Sequence, residues 1–501
     1  MHCRALAFTL LLASPAAAQI AYDVRPDLGA REWHVEARFP ARGQDEITFH
    51  LARWTPGAYH FADYGRFVEE LTASDGRGQD LVVERIEESE FLVRGAAPCE
   101  EVVVRYRARS ASGATLDDDV IDVEANRIRD DHAYLNPVSL LGFVADRIEE
   151  PTSVAFDFPD GWEMDTVLAQ ENGRYVAPSF LRLEDSPFLF STALQRATFE
   201  VEGKPHVVAV HGRDADDVAI LARDCEAIVR AAAGLMHGLP YERYHFLFGF
   251  VPEAGGSGLE HTESTLILTS ANGGIDSAGL RGITAHEFMH LWCAERIHVE
   301  GIRHPDLTKS FQTGTIWVNE GITEYMSQHI LVQAGFMQPE DLLNALASVP
   351  NMPMLDGQSW TQISRDMGAD DRPLMRVIMP FALRMYHLGP RTILALDLEM
   401  RRATMGERGV LDFLHTLMTE YHEKGRGFGE DELPAILSRV AGVDMRPFYE
   451  RFIDGSELPR PAESLDVLGY SWDGQEVVEL DGASVAQLAA REDFFSATGQ
   501  P

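Results

Sequence analysis

Through residue 197 hydrophobic and polar positions alternate with a period of two. The runs 33–39, 46–51, 80–83, 101–107 and 153–158 are rich in β-branched and aromatic residues, and Gly, Asp and Pro clusters separate them. Alternation of this kind turns one face of a strand to a core and the other to water. Short strands at regular spacing predict an antiparallel β-sandwich over 19–197. The pattern changes near residue 198. Residues 198–211 read as paired strands, 216–237 as an amphipathic helix and 244–251 as a further strand. From residue 283 the period becomes helical, with segments at 283–294, 315–333, 339–348, 390–404, 410–421 and 431–441. Pro339 and Pro390 suit the first turn of a helix, and Gly442 suits a stop. Residues 465–480 are expected to add short strands before a frayed end. The resulting partition is 1–18, 19–197, 198–336, 337–460 and 461–501, an α+β multidomain chain.

One helical segment carries more than packing. Ile283, Phe288, Met289, Leu291 and Trp292 make it apolar nearly all round, which predicts burial. Yet it contains His286, Glu287 and His290, and polar groups inside a buried helix are costly without partners. Residues four apart stand one turn above each other, so both imidazoles can grip one small ion. Zinc suits nitrogen ligands, and a catalytic zinc site takes three protein ligands and a water. Glu287, beside the first histidine, is placed to act as general base. A third ligand is expected from the segment 317–325, where Glu320 and Glu324 stand one turn apart. Glu320 is favoured, with Gly321 leaving room beside it; Glu324 could instead orient a ligating histidine or lie exposed. His261, His298, His304 and His329 are weaker rivals. The site is expected to hold one Zn²⁺.

The rest of the composition narrows the context. The chain has 501 residues, 45% of them hydrophobic, and a formal net charge of −36. A surface that acidic argues against nucleic-acid partners, which need basic patches. It fits a solvated surface spread along the chain. Asp117-Asp118-Asp119 lacks the spacing of a calcium loop and reads as a solvated loop. At the N-terminus, Arg4, the apolar run 5–13 and the small residues up to Ala18 form an export-signal pattern, cut after Ala18. The mature protein is therefore expected to be periplasmic or extracellular. The apolar run is too short to span a bilayer, and no later segment reads as transmembrane. Cys3 leaves with the signal. The remaining Cys99, Cys225 and Cys293 leave room for one disulfide, Cys99 to Cys225, while Cys293 reads as a small buried residue.

His286-Glu287-Phe288-Met289-His290-Leu291-Trp292, followed by Trp317-Val318-Asn319-Glu320-Gly321, resembles the gluzincin metallopeptidases. The wider spacing between the two segments is similar to the glycyl-aminopeptidase-like family. Trp54-Thr55-Pro56-Gly57-Ala58-Tyr59 resembles that family's W-x-P-G-x-Y turn, and Gly258-Leu259-Glu260-His261 its G-L-E-H segment. Tyr386-His387-Leu388-Gly389 stands in place of Y-x-K-G, and 446–455 resembles a late R-P-F-F stretch. The resemblance implies an N-terminal β-sandwich, a thermolysin-like zinc domain, a C-terminal α-helical domain, and removal of N-terminal residues from peptides. It implies Glu320 as third zinc ligand. It also implies Glu260, with Gly258, as receiver of the substrate amine, and Tyr386 as donor to the oxyanion. An endopeptidase, or an inactive peptide-binding module, is the alternative. The sequence departs from the family at Cys293-Ala294-Glu295 and at Leu388, which stands where the family has Lys. The 46 residues after Gly455 are too few for the PDZ domain that such chains often carry.

Overall fold

The computed structural model describes residues 20–110, 120–252, 254–348, 355 and 357–496. The export-signal pattern and Asp117-Asp118-Asp119 lie outside the described residues. The N-terminal third is β-rich. A ten-stranded sheet runs in the spatial order Ala169–Glu171, Arg174–Ala177, Thr152–Phe156, Ile20–Asp27, Glu32–Pro40, Glu101–Arg109, Val68–Asp75, Asp80–Glu87, Glu90–Arg94, Glu46–His50. The period-two signal explains it: Glu32–Pro40 buries Trp33, Val35, Ala37 and Phe39 and leaves the residues between them half-buried. Pairing is antiparallel except at one seam, where Ile20–Asp27 and Thr152–Phe156 run parallel. Parallel neighbours need a long connection, and here the intervening strands of the domain supply it. A second, four-stranded sheet orders Glu163–Asp165, Phe188–Ser191, His132–Leu135 and Asn126–Ile128.

The next sheet has five strands in the order Gln195–Val201, Lys204–His211, Tyr244–Val251, Ser264–Ser270, Ser257–His261. It begins at Gln195, so its first strand crosses the expected boundary at 197/198. Its inner pairs are parallel, and Tyr244–Val251 is buried at every position but one, as a strand covered on both faces should be. Helix Ala215–Leu235, capped by the Asp214 carboxylate, makes the crossover between two of the parallel strands. Ser257–His261 is the antiparallel edge strand. Helices Ala278–Met289 and Ile322–Gln333 pack against each other beside it.

The helical half departs from the sequence reading in instructive places. The segment 283–294 is helical earlier, at Ala278–Met289, because the Ser277 hydroxyl caps it by accepting from the Leu280 amide. The segment 315–333 divides into a π-helical turn, Trp317–Gly321, and the helix Ile322–Gln333. Trp360–Met367 and Leu374–Ala382 were not predicted; Pro380 sits inside the second, where the sequence reads a breaker. Leu374–Ala382 continues into a second π-helical turn, Leu383–Leu388. Beyond residue 460, strands Tyr470–Trp472 and Val477–Glu479 pair, and an unpredicted helix, Val485–Phe495, docks through Phe494 and an Asp493–Arg401 ion pair of 2.7 Å. Cys99 and Cys225 are both free, so the candidate disulfide is not made. Cys225 points into the core from the middle of its helix, where burial raises its thiol pKa. Among the described residues no helix is long and apolar enough to cross a membrane.

Candidate metal centre and active site

The last turn of Ala278–Met289 and its C-cap present His286, Glu287 and His290 to a cavity of about 450 Å³. Glu320 enters from the π-helical turn Trp317–Gly321, and Glu324 follows one turn later. Single π turns recur at functional sites because the extra residue re-aims a side chain. Gly321 is needed there for space: a Cβ would lie 2.6 Å from the ring of Trp360.

The hydrogen bonds of the two histidines fix what their other nitrogens offer. His286 Nδ1 lies 2.8 Å from Glu324 Oε2, and His290 Nδ1 lies 2.8 Å from the carbonyl oxygen of Cys293. Both partners only accept, so both Nδ1 atoms carry the hydrogen. The two Nε2 atoms then face each other with lone pairs, 3.0 Å apart. Glu320 Oε2 lies 3.4 Å from one and 3.6 Å from the other, and it has no hydrogen-bond partner among the described residues. With both imidazoles neutral, three lone-pair donors converge on one point. Burial opposes a second proton on His286, but the Glu320 and Glu324 carboxylates favour one and raise its pKa well above the ordinary range; that proton sits at Nε2, the position a bound cation takes in its place. Burial takes His290 down to about 4. The set suits a cation.

The flanking groups face the same cavity. Glu287 is buried, and burial raises its carboxyl pKa. Gly258, on the edge strand, has its Cα against it: a Cβ there would sit 2.3 Å from Glu287 Oε1. Glu260, two residues on, is buried, and burial together with the charge of Glu320 pushes it up to about 8. Tyr386 comes from the second π-helical turn; burial and the charge of Glu320 raise its pKa, and its ring lies 5.5 Å from that of His286. The structure therefore brings Gly258, Glu260, His286, Glu287, His290, Glu320 and Tyr386 to one cavity. Glu324 takes the orienting place that the sequence left open. The rival histidines are engaged elsewhere: His261 with Asp185, His298 with the Ala294 carbonyl, and His329 between Tyr325 and Phe494; His304 ends the helix Glu300–Arg303. A separate group, Asp131, His132 and His211, has its imidazoles stacked at 4.3 Å and 29°. Rings so nearly parallel send their lone pairs side by side and not to one point.

The sequence reading did not place Ile121, Val123, Met367, Ile378 and Phe381 on the cavity wall. Ile121 and Val123 come from a short 3-10 turn at Asp122–Glu124 and the others from the unpredicted helices, so no periodic signal marks them.

Two family descriptions match the chain: the Peptidase M61 N-terminal domain over residues 21–192, and the M61 glycyl aminopeptidase over residues 279–370. Together they cover just over half of it. The chain belongs to the M61 glycyl aminopeptidase family. It is a metallopeptidase. No curated protein gave a significant match. Among solved structures, an aminopeptidase N family protein from Idiomarina loihiensis is 22% identical with a TM-score of 0.79, over 90% of this chain and 78% of that one. An M1 zinc metallopeptidase from Deinococcus radiodurans is 14% identical with a TM-score of 0.53, over 89% and 95%. Legionella pneumophila aminopeptidase A, in complex with aspartic acid, is 12% identical with a TM-score of 0.52, over 87% and 49%. At these identities the likeness is one of fold. Within the M61 pattern, this chain buries Leu388, and it turns Glu295 onto the hydroxyl of Thr262 at 2.6 Å.

Proposed function

We propose that this M61 chain is a single-zinc aminopeptidase that removes N-terminal residues from peptides. The observation that carries the reading is the convergence of His286 Nε2, His290 Nε2 and Glu320 Oε2, with each imidazole's Nδ1 held by an acceptor of its own. Two imidazoles and a carboxylate are the donor set of catalytic zinc. A zinc ion held by these three side chains would polarise the scissile carbonyl and make a water acidic near neutral pH. Glu287 then takes the water's proton and passes it to the leaving nitrogen. The Tyr386 hydroxyl donates to the carbonyl oxygen as negative charge builds on it. Glu260 accepts hydrogen bonds from the substrate ammonium, which selects chain ends over internal bonds. A Deinococcus radiodurans metallopeptidase of the same fold has been solved with a Tyr-Ser-Ala substrate, which is in keeping with a peptide in such a cleft. The exported location expected from residues 1–18 belongs to this reading as well.

The test is a peptide-library digest with free and acetylated N-termini, repeated after chelation and after zinc is returned. Free N-termini should be trimmed from the end, acetylated ones spared, and chelation should stop the trimming until zinc is restored. Internal cleavage that ignores acetylation would replace the aminopeptidase by an endopeptidase. Full activity in chelator would remove the metal from the mechanism.

A further inference from the structure

The turn 54–59 belongs to the N-terminal β domain by sequence but to the active site by position. A Cβ on Gly57, whose φ is +92°, would lie 3.0 Å from the carboxyl carbon and both oxygens of Glu260. The backbone of the turn therefore rests on that carboxylate, and Ala58 joins the cavity wall. Two residues on, Tyr59 holds φ at +64°, in the left-handed region that a bulky side chain rarely enters. Such a conformation persists only where surroundings impose it. Here they do. Trp54 stacks on Phe311 at 5.0 Å and donates to the Asp306 carbonyl, Arg53 donates its amide to Leu307, and His60 meets Glu124 at 3.1 Å. Gly368 closes the other side: a Cβ there would reach 1.8 Å from the Phe311 carbonyl and 3.3 Å from that of Tyr59.

What this imposed turn delivers is a phenol. Tyr59 is 2% exposed, and its hydroxyl has no hydrogen-bond partner among the described residues. Glu260, Glu320 and Tyr386 are the groups whose charge it feels most. Glu260 Oε1 is likewise buried without a hydrogen-bond partner, with His290 Nδ1 3.9 Å away. A buried hydroxyl and a buried carboxylate oxygen, both unsatisfied and on contacting segments, are each costly alone.

We propose that Tyr59 is a positioning residue for Glu260: its hydroxyl donates to that carboxylate when the substrate amine binds, while Gly57 closes the cleft behind it. The β domain thereby makes half of the end-selective site. This rests on the amine-binding role proposed above for Glu260. Tyr59 would hold one carboxylate oxygen, leaving the other for the ammonium.

The experiment compares the parent, Tyr59→Phe and Tyr59→Asn on two substrates that differ only in the α-amine, a leucyl peptide and its 4-methylpentanoyl analogue. Inhibition by leucinamide and 4-methylpentanamide is measured alongside. Phe keeps the ring, and Asn tolerates positive φ, so one of the two folds even if the other does not. Both should lose about tenfold in kcat/KM on the amine substrate, through KM, with the analogue unchanged and the leucinamide inhibition constant raised equally. Equal losses on both substrates would mean that Tyr59 only supports the fold. A parent that prefers the amine, with both variants unaltered, would overturn the role of Tyr59 and leave Glu260 standing. A parent indifferent to the amine would sink both readings.

Discussion

The two ends of the cleft are built on opposite principles. At the candidate metal end the histidines and the two glutamates come from two neighbouring helical segments, and hydrogen bonds set the arrangement: Glu324 and the Cys293 carbonyl aim the imidazoles. At the amine end the groups come from an edge strand and from a turn some two hundred residues earlier in the chain, and the arrangement is held by missing atoms. Gly258 lets the backbone lie on Glu287, and Gly57 lets it lie on Glu260. The metal end should therefore be sensitive to changes of charge and proton inventory, and the amine end to added volume.

The sharpest way to break the metal end is to change protons without changing shape. Glu287→Gln should keep zinc, checked by elemental analysis, and keep the melting temperature. It should lose about 10²–10⁴ in kcat, since an amide cannot take a proton from water. Turnover close to the parent rate would remove Glu287 from the mechanism. The matching way to break the amine side is to add one carbon. Gly258→Ala places a methyl within 2.3 Å of the Glu287 carboxylate from a strand that hydrogen-bonding to Ser264–Ser270 holds in place. The side chain must yield, and a displacement of about 1 Å in a reacting group can cost about a hundredfold in kcat. Parent kinetics in that variant would show that the strand gives way instead.

These two contrasts also explain what could be read from the sequence. The pairing of His286 and His290 was legible because helical spacing turns four residues of separation into one shared face, and because buried polar residues among Phe288, Met289 and Trp292 demand a reason. The β-rich domain was legible from alternation, as in Glu32–Pro40. Glu320 was favoured over Glu324 on the room that Gly321 leaves, but the π-helical turn that aims it is announced by no periodicity. Nor was the wall formed by Ile378 and Phe381 legible, since Pro380 conceals their helix. The place of Gly57 over Glu260 joins distant parts of the chain, and only a resemblance, never a spacing, pointed to that turn.

A moderate effect tests the charge at the amine end. Glu260→Ala should lose about ten- to a hundredfold in kcat/KM on free-amine peptides, the worth of one charge-assisted contact, with zinc retained. If the parent cuts acetylated and free peptides equally well, at internal bonds, the contact is not with the amine.

The smallest effect on turnover should come from the group that touches neither substrate nor metal. Glu324 is partly exposed and reaches the site only through the Nδ1 hydrogen of His286. Removing an orienting carboxylate of this kind costs about 10–100-fold in metal affinity. Glu324→Ala should therefore lose zinc on dialysis against a weak chelator that the parent withstands, and regain near-parent kcat when zinc is added to saturation. Glu320→Ala should differ in kind: one of three converging donors is gone, so added zinc should restore little turnover. Elemental analysis and zinc titration of the two variants side by side separate the roles. Full zinc in Glu320→Ala and none in Glu324→Ala would exchange them, making Glu324 the ligand.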